Sequence, residues 1–358
     1  MEEGRNMNKK TVVTIFGGKS SEHDVSCVSA SNVISNIDKD NYDVIIIGIT
    51  KEGKWLKVDK VEDIESGAWL NSKTTAIISP DTSHKGILFI TNGKVTVQSV
   101  DVAFPILHGL NGEDGTIQGL FELAGIPYVG CGVVSSGVSM DKLFTKIIVD
   151  SLGIRQARYV AVNASELQNF DTLKEKIESQ LDYPMFIKPS NAGSSKGISK
   201  AHNAMELLDG LNEAVKHDRK ILIEETITGR ELECAILGAK NPIASGVGEI
   251  VAAAEFYDYD AKYNDAASKE IISPELPEGV EQKIREYALK IFCAVDGYSL
   301  SRVDFFLENG TNDIIFNEIN TLPGFTPISM YPMLWQAKGI GKTQLIEKII
   351  QSGLNRFE

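Results

Sequence analysis

The stretch TVVTIFGGKSSEHDVSCVSASNVISNIDKDNYDVIIIGI (11–49) reads as strand, turn, helix and strand. The apolar run TVVTIF (11–16) is long enough for a buried strand and ends at Gly17–Gly18. Cys27, Ala30, Ile34 and Ile37 then recur at helical spacing, and DVIIIGI (43–49) returns as a second buried strand. This is a βαβ unit, so the chain opens as an α/β protein. Residues 50–100 break into short strand-like pieces, TTAIIS, GILFI and KVTVQSV, which suit hairpins attached to the first unit. VAFPILHG (102–109) resumes the buried sheet.

Further along, a helix containing Phe121 and Leu123 is expected to end at Gly125. A second unit runs through a helix from Met140, the strand PMFIKPS (184–190), a Gly/Ser loop and the strand ILIEETI (221–227). The alternating strand ELECAIL (231–237) follows, then a Tyr/Asp/Lys-rich stretch, then a helix with Ile284, Ala288, Ile291 and Val295 on one stripe. SRVDFFL (301–307) and DIIFNEIN (313–320), joined by ENGTN, read as a closing hairpin. The expected fold class is α/β (α+β) with mixed sheets. Its units are a disordered start (1–8), an N-terminal unit (9–126), a central unit (127–226) and a C-terminal unit (227–358).

Composition narrows the function. The chain has 36 Lys+Arg against 49 Asp+Glu, a formal charge of −13, and no basic run. The cations that neutralise phosphates in nucleic-acid binding therefore have no obvious source. Cys27, Cys131, Cys234 and Cys293 form no CxxC pattern and read as reduced core residues rather than zinc ligands or disulfides. No apolar run approaches the roughly 18 residues of a membrane span, and the polar start MEEGRNMNKK has no signal-peptide core, so a cytoplasmic location is expected.

Chemistry concentrates in the closing hairpin. Side chains alternate faces along a strand, so Glu318 and Asn320 share one face, as do Arg302 and Asp304 on the preceding strand. If those faces align, two carboxylates and an amide oxygen converge as hard ligands suited to Mg²⁺. The same residues also suit a solvated salt bridge of Arg302 with Asp304 or Glu318. Lys188 ends an apolar strand, a costly place for an ammonium unless an anion meets it; a structural ion pair satisfies it equally. The loop NAGSSKG (191–197) after it either closes over phosphates or is a plain turn. Glu22 stands at a helix start by the strand ends where α/β sheets bind ligands, although helix dipoles favour an acid there anyway. In LHGLNGEDGTIQG (107–119), His108 reads equally as a ligand or a core histidine.

These fragments, in this order from about Thr11 to Leu354, resemble the D-alanine–D-alanine ligases of the ATP-grasp superfamily. The motifs are GGKSSEHDVS, LHGLNGEDGTIQG, FIKPSNAGSSKGI, FYDYDAKY, and SRVDFF followed by NEINTLPGFTPIS. The resemblance implies an ATP-grasp fold with a Rossmann-like N-terminal domain and the nucleotide held between two mixed sheets. It implies ATP with two Mg²⁺ (or Mn²⁺) ions on Asp304, Glu318 and Asn320. Lys142, Lys188, Ser194 and Ser195 would lie near the phosphates. Glu224, Glu225, Thr226 and Ile227 would lie near adenine, with Glu231 on the ribose. Glu22 would hold the ammonium of the first D-alanine, with His108 near its carboxylate. Arg302 and the Gly324 amide would stabilise oxyanion charge. Ser329, Tyr263 and Lys262 would place the second amino acid, with Met330 as an apolar wall favouring D-alanine over D-serine. The implied product is a dipeptide for peptidoglycan, made through an acyl-phosphate by a homodimer. A D-alanine–D-serine ligase of the vancomycin-resistance type is the alternative.

Overall fold

A computed structural model describes residues 9–193, 196–251 and 269–358. Three sheets organise them. The first contains β1 (Lys10–Gly17), β2 (Tyr42–Ile49), β3 (Trp55–Val58), β4 (Thr74–Ile78), β5 (Gly86–Thr91), β6 (Lys94–Ser99) and β7 (Val102–Ile106), in the order β6-β5-β4-β3-β2-β1-β7. β1 runs parallel to β2 and β7, and the connection from β1 to β2 is the helix His23–Ser35, so the opening segment is the βαβ unit its pattern predicts. The pieces in 50–100 are the antiparallel extension β3–β6.

The second sheet has β8 (Tyr159–Asn163), β9 (Met185–Pro189), β10 (Ser199–Ala201) and β11 (Lys220–Glu225), in the order β10-β9-β11-β8. Its odd and even positions do different work. Met185, Ile187, Ile221 and Ile223 enter a core with Leu173, Ile177, Leu207, Leu211 and Ala214 from two helices. By period 2, Phe186, Lys188, Leu222 and Glu224 turn to the opposite face, away from those two helices.

The third sheet has β12 (Gly229–Gly238), β13 (Ile243–Val251), β14 (Lys269–Ile272), β15 (Ser299–Glu308) and β16 (Ile314–Asn320), in the order β14-β13-β12-β15-β16. The stripe Ile284, Ala288, Ile291 and Val295 lies on the helix Val280–Ala294 and packs against Leu232, Cys234, Ile236, Val303, Phe305 and Leu307. The other side of β12 is covered too, since Ala235 and Leu237 enter a separate core. ELECAIL, which alternates like a half-exposed strand, is therefore a central strand buried on both faces.

That separate core joins the two ends of the chain. Val12, Phe104, Leu345, Ile349 and Leu300 belong to one cluster, so the helix Lys342–Leu354 closes over the first sheet while also serving the third. The central sheet keeps its own core. Two expectations change. The helix expected to begin at Met140 is two helices, Val133–Met140 and Lys142–Ser151, divided at Asp141, whose side chain caps the second. Of the cysteines, Cys131 and Cys234 are buried, but Cys27 is half-buried and Cys293 exposed.

Phe305 is fully buried on the face of β15 turned away from Asp304. Phe305→Ala should cost about 3–5 kcal/mol in urea unfolding by opening a cavity against the helix Val280–Ala294.

Candidate active site

The other face of the second sheet carries a buried charge cluster. Glu224 accepts one contact from Lys146 Nζ at 2.7 Å and another from Lys188 Nζ at 2.6 Å. Burial pushes the Glu224 carboxyl up, but the two ammonium groups outweigh it and hold the carboxyl down at about 2. Burial works against the charge on Lys188 as well, and Glu224 more than restores it. Lys188 thus has the anion that its place at an apolar strand end demands.

Asp141 ties this sheet to the helix Lys142–Ser151. Its Oδ1 accepts from Ser190 Oγ at 2.6 Å and from the Phe144 amide, and its Oδ2 accepts from Asn191 Nδ2 and Lys220 Nζ. The Lys142 amide donates to Ser190 O at 2.9 Å, and Lys142 Nζ donates to Ala192 O at 2.8 Å. The lysine and the base of the Gly/Ser loop are therefore held as one piece. Burial pulls the Lys142 ammonium below the ordinary lysine range, although Glu318 partly restores it.

The hairpin β15–β16 places Asp304 opposite Glu318 and Arg302 opposite Asn320, with a bulge after Asp304. Residues directly opposed in an antiparallel pair share a face, so the alignment that the sequence left conditional is met. Arg302 Nε and Nη2 donate to the two Asp304 oxygens at 2.7 Å each, and Asn320 Nδ2 lies 2.9 Å from Asp304 Oδ2. Among the described residues, no three His, Cys, Asp or Glu side chains form a ready cage for a metal. Two carboxylates plus an amide is the donor set that fits Mg²⁺ when nucleotide phosphates complete the shell.

Glu22 sits where three segments meet. A Cβ on Gly109 would lie 2.3 Å from Glu22 Oε2, and one on Gly193 would lie 2.9 Å from it. Gly109 also has φ +71°, a backbone conformation that favours glycine. Beside Glu22, Glu113 accepts from the Gly109 amide at 2.9 Å and the Leu322 amide at 3.1 Å. Burial, with Glu22 adding to it, raises the Glu113 carboxyl to about 8. Glu22, Glu113, Lys142, Gly193, Glu318 and Asn320 all line one cleft, so the first sheet, the central unit and the closing hairpin contribute to a single site.

Other expected residues fall around this cleft or behind it. His108 is buried, with Nδ1 3.1 Å from Leu322 O and Nε2 3.0 Å from Ser29 Oγ, so it braces the loop after β16 against the first helix. Glu225 accepts from Arg158 Nε at 2.7 Å, and Thr226 Oγ1 donates to Pro184 O at 2.7 Å; Ile227 follows the end of β11. Glu231 lies on β12 opposite Ile250 and Phe306. Ser329 accepts from the Thr326 amide at 2.9 Å, and a Cβ on Gly324 would lie 2.8 Å from its hydroxyl. Met330, expected as a substrate-facing wall, is a core residue: it is 3% exposed and fills the space above Gly248 on β13. It is the first residue of the helix Met330–Ala337, whose buried face is turned to the sheet. Ser194, Ser195, Lys262, Tyr263 and the start 1–8 lie outside the described residues.

Three residues of the cluster have no assigned role in the sequence reading. Lys146 is one helical turn beyond Lys142, a spacing that puts both lysines on one side. Glu113 is the acid of the glycine loop. Glu233 is two residues from Glu231, hence on the same strand face.

Known proteins carry the same architecture. Residues 11–131 match the family model described as D-ala D-ala ligase N-terminus, and residues 148–351 match that described as D-ala D-ala ligase C-terminus. A protein of Ruminiclostridium cellulolyticum named D-alanine–D-alanine ligase is 52% identical, covering 98% of this chain and 97% of its own. The VanG D-Ala:D-Ser ligase of Enterococcus faecalis superposes with TM-score 0.88 at 40% identity, covering 96% of this chain and 99% of its own. The D-alanine–D-alanine ligase of Bacillus anthracis complexed with ATP gives TM-score 0.72 at 30% identity, covering 98% of each chain. The fold is ATP-grasp, and it is that of an ATP-dependent ligase. The chain belongs to the D-alanine–D-alanine ligase family.

Two outcomes test the charge cluster. Lys146→Met should destabilise by about 3–5 kcal/mol, because it strips one partner from a buried carboxylate. The sign with pH follows from the depressed Glu224 carboxyl. Its stabilising contribution is complete above its unfolded value of 4.5 and is lost as pH falls toward about 2. The gap in thermal midpoint between wild type and Lys146→Met should therefore be widest above pH 4.5 and narrow toward pH 2.

Proposed function

We propose that this chain joins two molecules of D-alanine, using ATP and releasing ADP and phosphate, to make the dipeptide of peptidoglycan precursors. The single observation that carries the reading is the cleft itself. Glu22, Lys142 and the pair Glu318–Asn320 line one space although they come from three separate parts of the chain.

A carboxylate and an amine do not condense in water, because hydroxide leaves poorly and an ammonium has no free electron pair. Transfer of the γ-phosphoryl group to the first D-alanine converts its carboxylate oxygen into a good leaving group, and Lys142 and Lys188 are the cations available to balance the charge. Glu22 carries the charge that would hold the first ammonium. The amine of the second D-alanine then attacks the acyl carbon, phosphate leaves with the C–O bond electrons, and the amine proton passes to solvent or a neighbouring base. Arg302, fixed by two bonds to Asp304, would face the oxyanion with the Gly324 amide. Asp304, Glu318 and Asn320 would hold two Mg²⁺ (or Mn²⁺) ions, which supply charge neutralisation at the phosphates. Ser194, Ser195, Lys262 and Tyr263 are proposed to cover the site and place the second amino acid.

D-alanine is favoured over D-serine as the second substrate by the relatives' names: the 52% identical relative is a D-alanine–D-alanine ligase, whereas VanG is 40% identical. We read 9–126, 127–226 and 227–358 as the substrate-binding unit and the two halves of the nucleotide clasp. The enzyme is placed in the cytoplasm, where ATP is available, and no helix among the described residues is long and apolar enough to cross a membrane. A homodimer is supported by the outer face of the first sheet, where Ile77 and Val97 are about half exposed and stand in one row across Leu88.

Phosphate release with ATP and Mg²⁺ tests the activity. Release should require D-alanine and should not rise further when D-serine or D-lactate is added; release independent of D-alanine overturns the reading. Glu318→Gln should lower turnover by at least about 10³-fold with an unchanged circular-dichroism spectrum, since it removes a charge expected to meet both cations. Wild-type turnover in that variant would remove Glu318 from the metal set.

A further inference from the structure

Glu233 has so far had no part in the chemistry. It lies on β12 directly opposite Asp304 on β15, and Asp304 lies directly opposite Glu318 on β16. Opposed residues of antiparallel strands share a sheet face, so three carboxylates stand in one row across three strands. Arg302 is diagonal to that row. Its Nε and Nη2 donate to both oxygens of Asp304 at 2.7 Å, and Nε also lies 3.1 Å from Glu233 Oε2. Glu233 is 4% exposed and Arg302 8%, so neither charge has water to fall back on.

The two demands on Asp304 conflict. As the fold stands, both of its oxygens are committed to Arg302, and Asn320 Nδ2 shares one of them. A cation drawing on an Asp304 oxygen weakens the fork to the guanidinium, because the two positive centres share one carboxylate charge and repel. Were Asp304 the main partner alone, cation binding would leave a buried Arg302 with a weakened hold. Glu233 is the carboxylate in the row that the proposed metal set does not use, and it already touches the guanidinium.

We propose that Glu233 is a positioning residue that retains Arg302 when Asp304 turns to the cation, so that metal binding and oxyanion stabilisation do not compete. This rests on the reading of Asp304 and Glu318 as metal ligands. Glu233 acts through Arg302, a dependence that neither a simple field effect nor a packing effect would show.

The test is Mn²⁺ affinity in the presence of ADP, read from the free-ion electron paramagnetic resonance signal, on four proteins: wild type, Glu233→Gln, Arg302→Met and the double variant. Glu233→Gln should bind Mn²⁺ about tenfold more weakly than wild type, because Arg302 then holds Asp304 undivided. In the Arg302→Met background the same change should alter affinity by less than about twofold, since the competitor is gone. A fifth protein, Glu233→Asp, should recover part of the loss; Glu233→Met serves in place of Glu233→Gln if that variant melts below assay temperature. Equal weakening in both backgrounds overturns the proposal and leaves a field effect. Wild-type affinity in Glu233→Gln overturns it outright. If wild type itself binds no Mn²⁺ with ADP, the metal reading falls and takes this one with it, an outcome distinct from the other two.

Discussion

A buried guanidinium and two buried carboxylates, with a third, half-buried carboxylate on the neighbouring edge strand, form the constraint around which the third unit is built. Charges taken out of water are tolerated only when partners are fixed on all sides. Glu233, Asp304 and Glu318 are fixed because each sits on a different strand opposite its neighbour, and Arg302 is fixed because it spans two of them. The apolar face behind the row, with Val303, Phe305 and Leu307 against the helix Val280–Ala294, is what holds the strands in that register. A slip of one residue would turn the acids into the core and the phenylalanines into the cleft.

The same physics recurs across the cleft. Glu224 is tolerable at 7% side-chain exposure because Lys146 and Lys188 meet its two oxygens, and Lys188 is tolerable for the reciprocal reason. Asp141 does so for the loop that follows, drawing Ser190, Asn191 and Lys220 to one carboxylate. Each cluster is a rigid anchor on a regular element, and the loops between them are shaped by lack of space. Gly109 and Gly193 approach Glu22 so closely that any side chain at either would strike its carboxylate. A site assembled from three parts of the chain is thereby held by buried ion pairs at its walls and by glycine at its seams.

Much of this was legible beforehand, and the failures share a cause. The βαβ opening, the stripe on the helix Val280–Ala294 and the shared face of Arg302 and Asp304 are local patterns, with periods of 3.6 or 2, and they hold in the structure. An apolar residue next to Ser329 looks the same in sequence whether it faces a substrate or the core; the packing of Met330 beside Gly248 of β13 is visible only in the fold. His108 stayed ambiguous for the same reason, and its partners Ser29 and Leu322 lie 79 and 214 residues away. Lys146, Glu113 and Glu233 were visible as residues but not as neighbours.

By itself, the sequence determined the elements, their buried faces and the motifs that mark an ATP-grasp ligase, because these depend on spacing within a few residues. Only the tertiary structure decided which charges meet. Glu224 gains its lysines from a helix and a strand some 78 and 36 residues earlier, and Glu233 finds Arg302 across a strand pairing. A buried charge is stabilised by atoms within a few ångströms, whatever their distance along the chain, and that proximity exists only once the sheets have paired.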